Sequence, residues 1–275
     1  MKKLCSFLLV IGFIAFTSLT LSPGLARAYS SYGAGTLANP YRIATCDQLR
    51  EMSDNLAGHY KLVSNIDCAG VTYTSIGSLP STPFTGSLNG DNHTIANLTS
   101  SDSGLFSYTS GASISNLTIA SGTITGNGSQ GSFVGYSVNT ALSNVHSSMS
   151  ITVQDPDSAA YLGGLVGGAT GITTIDGSSF SGTIQGGAYI GGLVGYMGNI
   201  STPTADVVSN SFFDGVMNEN GVFAGGVVGI LYSGTVRNTY SSGTIHITSG
   251  SNHIAGLIGL SYRGTSNNNF SATLL

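Results

Sequence analysis

A four-residue unit, glycine or serine followed by two apolar residues and then glycine or serine, starts at Gly104, Ser132, Gly164, Gly192, Gly226 and Gly256, at intervals of 28, 32, 28, 34 and 30 residues. A period near thirty means that the chain is built from small supersecondary units, none of which can bury an apolar face until its neighbours stack on it. A second unit follows each copy of the first: Ser121-Gly-Thr-Ile, Ser148-Met-Ser-Ile, Ser181-Gly-Thr-Ile, Asp214-Gly-Val-Met, Ser242-Gly-Thr-Ile and Ser271-Ala-Thr-Leu.

Both units are too short for helices and are bracketed by Gly, Asn and Ser, so they read as strands of about four to six residues. Neighbours in a strand face opposite ways. Ile124, Ile151, Ile184, Met217, Ile245 and Leu274 are therefore expected to form an inward column, with Thr123, Ser150, Thr183, Val216, Thr244 and Thr273 outward one residue earlier. Strands that recur with one direction at every turn of a coil pair in parallel, about 4.8 Å apart. The expected fold is all-β, a right-handed parallel β-helix, its hand following the rule for parallel crossovers. An antiparallel sandwich or a propeller also uses short strands, but propeller blades carry longer repeats with aromatic signatures. Val216 and the uneven intervals spoil the flat lattice that an ice-ordering Thr face would need.

Composition narrows the choice further. Only 7% of residues are charged, too few for a coiled coil or a charged disordered tail, and the 40 glycines follow no triplet period, which excludes collagen. Lys2 and Lys3 precede an apolar run from Phe7 to Phe16, and Ala26-Arg27-Ala28 supplies a small-residue cleavage site, the pattern of a secretory signal peptide. Thr17, Ser18, Thr20, Ser22 and Pro23 interrupt the run before it reaches the ~20 apolar residues of a membrane span. Processing after Ala28 would leave five basic side chains against twelve acidic ones. Nucleic acid is excluded as a partner on that balance, because phosphate binding draws on Lys and Arg. Export would place the product in a secreted, periplasmic or cell-surface location.

Three parts are expected: a signal peptide over 1–28, an N-terminal cap over 29–100, and a β-helix of six rungs over 101–275. Within the cap, Thr45 and Gln48 form a capping box, Leu49, Met52 and Leu56 share a helical face, and Gly58 can end the helix. The short helix is expected to cover the open end of the coil. Cys46 and Cys68 form an even pair in an oxidising compartment, and either a disulfide or two buried thiols fits them. At the other end, the apolar Leu274-Leu275 is expected to leave an edge through which copies can associate.

The Gly-Leu-Val-Gly strings at 164–167 and 192–195 resemble the GLUG-repeat family of bacterial exported and adhesin-type proteins. The Gly35-Thr-Leu-Ala-Asn-Pro-Tyr-Arg-Ile opening, Tyr60-Lys-Leu, Asn65-Ile-Asp-Cys and Phe84-Thr-Gly-Ser-Leu-Asn-Gly are similar to the segment that commonly precedes such repeats. The resemblance covers about 33–275. It implies a secreted or surface-displayed β-helix, of the sort found in large adhesins and in non-catalytic parts of some surface metallopeptidases, and it carries over no catalytic residue.

A search for chemistry returns little. His-Glu-x-x-His, the helical zinc signature, does not occur, and neither does the Gly-x-Ser-x-Gly elbow. Gly126 to Gly131 fits G-x-G-x-x-G but precedes a strand-like segment, so it reads as a turn. The six Asn-x-Ser/Thr sequons, beginning at Asn92, Asn97, Asn116, Asn127, Asn199 and Asn269, reflect composition. Asp155 and Asp157 flank Pro156 in a long excursion and are weak metal candidates, with a solvated loop as the plainer reading. Tyr136, Tyr161, Tyr189, Tyr196, Tyr232 and Tyr262 recur around the Gly-rich units and are either packed rings or a stripe that stacks on a ligand. No cofactor is expected. The leading expectation is a non-enzymatic exported β-helix that adheres to a host or neighbouring-cell glycan or protein. The alternative is a polysaccharide-active enzyme, lyase or hydrolase, whose carboxylates Asp206, Asp214 and Glu219 converge from one rung.

Overall fold

A computed structural model describes residues 33–78, 80–155, 160–219, 222–247 and 253–275, and the segment expected to be a signal peptide lies outside them. Strands stack in parallel along a coil, and among the described residues the sole antiparallel contact is the isolated bridge between Ser78 and Thr82. The fold is a parallel β-helix. Its longest face carries nine strands in succession, from Tyr41–Ile43 and His59–Leu62 through Ser113–Ile119 and Ala141–Ser147 to Thr265–Asn267. Parallel pairing therefore begins at Tyr41, and the segment ahead of residue 101 contributes rungs of its own.

The second repeated unit behaves as its period predicts over most of the coil. Ile124 pairs with Ile151, Ile151 with Ile184, Ile184 with Met217 and Met217 with Ile245, and all five are buried. The last copy departs from the pattern. Leu274 bridges Thr244 instead of Ile245, a slip of one residue, and its side chain is 68% exposed. Because the side-chain period is two, a one-residue slip moves a side chain to the opposite face.

The first unit is not a strand but a corner. Strand Tyr161–Gly163 ends, Gly164 and Leu165 bend, and strand Val166–Thr170 begins. The bend turns both Leu165 and Val166 inward, and the same holds for Leu193 with Val194 and Val227 with Val228. Gly164 is required there: a Cβ would stand 2.2 Å from the Gly192 carbonyl oxygen and 2.3 Å from the Phe180 ring.

The helix spans Cys46–Arg50 and continues as a 3₁₀ turn over Glu51–Asp54. Its capping box forms as expected, with Thr45 Oγ1 accepting from the Gln48 amide at 3.2 Å and Gln48 Oε1 accepting from the Ala44 amide at 2.8 Å. Leu49 and Met52 point into the interior, but the helix ends before Leu56 and Gly58. It lies in the connection between the first two strands of the long face, and a bond between Cys46 and Cys68 joins it to the next turn of the coil, with Cα atoms 5.2 Å apart.

A left-handed residue repeats along the long face, with φ of 52° at Asn116, 53° at Asn144, 59° at Gly177, 51° at Asn210 and 53° at both Asn238 and Asn268. Asn tolerates this conformation better than other chiral residues. The bend interrupts the backbone ladder, and inward hydroxyls supply the acceptors: Ser178 Oγ takes the Val145 amide at 3.2 Å and Ser211 Oγ takes the Ser178 amide at 3.0 Å.

Candidate functional site

The corners carry a band of aromatic rings on their outer side. On the strands that follow the bend, the outward position is held by Tyr108, Tyr136, Gly168 and Tyr196 in register. Tyr108 and Tyr136 stack with centroids 5.8 Å apart. Gly168 breaks the column of side chains, and the Tyr136 ring fills the space, where a Cβ on Gly168 would lie 2.6 Å from it. Tyr161, on the strand before the bend, meets Tyr196 at 4.7 Å and Tyr189 at 5.2 Å. From there the band forks. One branch runs from Tyr189 to Phe223 at 5.6 Å and His253 at 4.8 Å, and the other from Tyr196 to Tyr232 at 5.3 Å and Tyr262 at 6.4 Å.

Of the six tyrosines singled out in the sequence, Tyr161, Tyr189, Tyr196, Tyr232 and Tyr262 lie in one run of ring contacts, and Tyr136 stacks on Tyr108. Tyr108 stands four residues after the start of its Gly-rich unit, as Tyr136 and Tyr196 do, and Phe223 and His253 stand three before theirs, as Tyr161 and Tyr189 do, which is the signal that would have included them. Most of these rings are half-buried, whereas Tyr262 is 60% exposed and carries the Arg263 guanidinium 5.4 Å above its ring. Burial, reinforced by neighbouring phenols, raises the pKa of Tyr108 and Tyr161, and pushes Tyr196 up to about 12. Those three phenols therefore remain neutral at physiological pH. The band offers π faces and hydroxyls, with charge confined to its Arg263 end, which suits stacking and hydrogen bonding to an uncharged surface.

Of the carboxylates in the 206–219 rung, Asp206 and Asp214 do not converge, one lying inside the coil and the other exposed. Asp206 is 1% exposed inside the coil, where it accepts the Thr173 amide at 2.8 Å and the Thr204 hydroxyl. Desolvation raises its pKa, and those hydrogen bonds offset part of the shift. Asp214 is exposed, beyond the strand Phe212–Phe213. Asp157 and the Glu219 side chain lie outside the described residues. Among the described residues no three His, Cys, Asp or Glu side chains gather as metal ligands do.

The profile of the GLUG motif matches residues 158–185, the rung that contains Gly164-Leu-Val-Gly167. Residues 158–185 thus carry a GLUG motif. Ahead of that GLUG match, residues 43–148 fit the M26 IgA1-specific metallo-endopeptidase N-terminal region. Halomucin from Haloquadratum walsbyi is 33% identical over 163 residues, an alignment that takes in 53% of this chain but 2% of halomucin. Among solved structures, an IgA1 protease superposes with a TM-score of 0.59 at 21% identity, over 84% of this chain and 20% of that one. A candidate immunoglobulin A1 protease from Bacteroides ovatus superposes with a TM-score of 0.57 at 18% identity, over 86% of both chains. At those identities the superpositions speak for the fold, and they agree with a parallel β-helix. Together, the relatives fit an exported protein.

The expectation of a non-enzymatic protein is overturned by these matches, since 43–148 fits a region of a metallo-endopeptidase and both superposed structures are described as immunoglobulin A1 proteases. The correction concerns the company the GLUG rungs keep. Metal-dependent peptide cleavage needs converging ligands and a base, which the described residues do not assemble, so no step of it is assigned to a residue of this chain.

Proposed function

We propose that this exported β-helix is the partner-engaging region of an M26-type peptidase system, and that it holds a protein substrate against the aromatic band so that cleavage is presented with a docked chain. The observation that carries the reading is the unbroken run of ring contacts from Tyr161 through Tyr196 and Tyr232 to Tyr262 on one outer surface of the coil. Half-buried rings lose little side-chain freedom when a partner docks, which is why aromatic residues dominate binding hot spots. Adhesion to a surface glycoprotein uses the same band and is the simpler form of the same activity, with display at the cell surface or release after removal of the leader.

Immunoglobulin A1, named by the matching family, is the first partner to try. The experiment measures binding of the chain to immobilised immunoglobulin A1 and to its deglycosylated form, for the unaltered protein and for a Y161S/Y196S/Y232S variant. Binding that falls at least about tenfold in the variant supports the reading, a factor equal to roughly 1.4 kcal/mol. Binding that is unchanged by the triple substitution while the variant keeps its β-sheet spectrum overturns it.

A further inference from the structure

At the end of the coil remote from Tyr262, the structure holds a second concave site that the band does not include. A cleft of about 280 Å³ is lined by Asn39, Pro40, Arg42, Lys61, Val63, Asp91 and His93. Arg42 and Lys61 are register partners on adjacent strands of the long face, Tyr41–Ile43 and His59–Leu62, so their side chains leave the sheet side by side. Five basic residues remain in the chain after residue 28, and two of them meet here.

The wall opposite is a local elaboration. In the later rungs a single left-handed residue turns the long face, whereas between strands Ser87–Asn89 and Thr94–Ala96 the turn runs through Gly90 to His93. Two consecutive chiral residues there, Asp91 at φ 50° and Asn92 at φ 64°, adopt the left-handed region. Such conformations persist where surrounding contacts enforce them, and here the Asp91 amide is held by Asn89 Oδ1 at 2.9 Å and the Asn92 amide by the Asn116 carbonyl at 2.9 Å. The loop places Asp91 Oδ2 2.9 Å from Lys61 Nζ and His93 Nδ1 3.3 Å from Asn65 Oδ1. Lys61 is thereby neutralised and fixed, while Arg42 forms no ion pair among the described residues.

We infer that this cleft binds a single acidic sugar, a hexuronic acid or another carboxylate-bearing pyranose, with Arg42 holding the carboxylate and the Lys61–Asp91 pair the ring hydroxyls. A planar guanidinium matches a carboxylate two bonds at a time. Asp91 and Asn39 provide acceptors for hydroxyls, Lys61 and Asn39 provide donors, and Pro40 and Val63 provide apolar surface for a sugar C–H face. Drug-sized ligands occupy ~300–1,000 Å³, so a 280 Å³ cleft suits one ring rather than an extended chain. This site is independent of the aromatic band and stands or falls separately from it.

The test is a titration of the full chain, isotopically labelled, with sodium glucuronate, glucose and sodium acetate in parallel, followed by NMR. Glucuronate should saturate shifts at Arg42, Lys61, Asp91 and His93 below about 50 mM, in line with a millimolar affinity of about −4 kcal/mol, and should bind about tenfold or more tightly than glucose or acetate. Arg42→Gln should weaken it at least about tenfold, while Arg237→Gln on the same face should leave it unchanged. Absence of saturation in the unaltered chain, equal binding of acetate or glucose, or full retention of affinity in Arg42→Gln overturns the inference.

Discussion

The side-chain amide of Asn144 donates to Oδ1 of Asn116 across 3.0 Å, from one rung of the coil to the next, while both residues hold the left-handed conformation. The relation repeats: Asn116 donates to Asn89 at 3.2 Å, Asn210 to Asp176 at 2.7 Å and Asn238 to Asn210 at 3.2 Å. Gly177 takes the place between Asn144 and Asn210 and breaks the series once. The ladder lets each rung turn at the same point and stay over its neighbour.

Asn144→Ala should therefore cost more than the amide bonds alone. Alanine loses the contact to Asn116 and also pays about 1 to 2 kcal/mol for the left-handed backbone. Asn144→Gly loses the same contacts without that strain. Urea unfolding should place Ala about 2 kcal/mol below the unaltered chain and Gly between the two. Equal stability of the two variants would mean that the turn relaxes.

Gly164→Ala tests the corner. The added methyl meets a backbone oxygen at 2.2 Å and the Phe180 ring at 2.3 Å, and neither belongs to a flexible side-chain tip. Overpacking of this kind costs about 3 kcal/mol or more when backbone must move. Gly128 has open space around it, so Gly128→Ala should stay within about 0.5 kcal/mol. Thermal unfolding of the two variants decides the matter.

Much of this architecture was legible in the sequence, for reasons that particular residues make plain. The column from Ile124 to Ile245 was readable because a strand period of two and a thirty-residue repeat leave one arrangement that buries every member. The corner was not, because Leu165 and Val166 look like adjacent strand residues until the bend at Gly164 turns both inward. Nor was the slip at Leu274, since register there is set by rung contacts and not by spacing. The tyrosines could be counted, but not their ring contacts, nor that Gly168 leaves room for the Tyr136 ring. Asp206 looked available for chemistry, and only the folded chain shows its carboxylate capping the Thr173 amide. The Arg42 cleft needed the coil to close, because Lys61 and Asp91 are thirty residues apart in sequence.

Reduction of the Cys46–Cys68 bond should loosen the first rungs. The bond closes a span of 22 residues, for which the loop-entropy argument gives about 3 kcal/mol. A C46S/C68S variant, or the unaltered chain with a strong reductant, should unfold at lower urea, with amide exchange rising first around Leu49 and Met52. Identical unfolding midpoints with and without reductant would show that packing of the helix alone secures this end.

Asp206 gives a pH dependence whose sign is fixed by its direction of shift. Burial raises its folded pKa above the unfolded value, so the folded chain holds its proton more tightly than the unfolded chain. Stability from this group is therefore greatest below the unfolded value, near 4, and declines as pH rises through the raised folded value. Asp67 works the other way. The Asn97 amide and the Ala69 backbone lower its pKa, so its contribution fades as pH falls below the usual carboxylate range. Comparing the unaltered chain with Asp206→Asn isolates the first effect. Asn still accepts from the Thr173 amide but carries no charge, so the stability advantage of Asp206→Asn should grow from pH 4 to pH 7 in urea unfolding. An advantage that is constant across that range would mean that Asp206 ionises in the fold as easily as in the open chain.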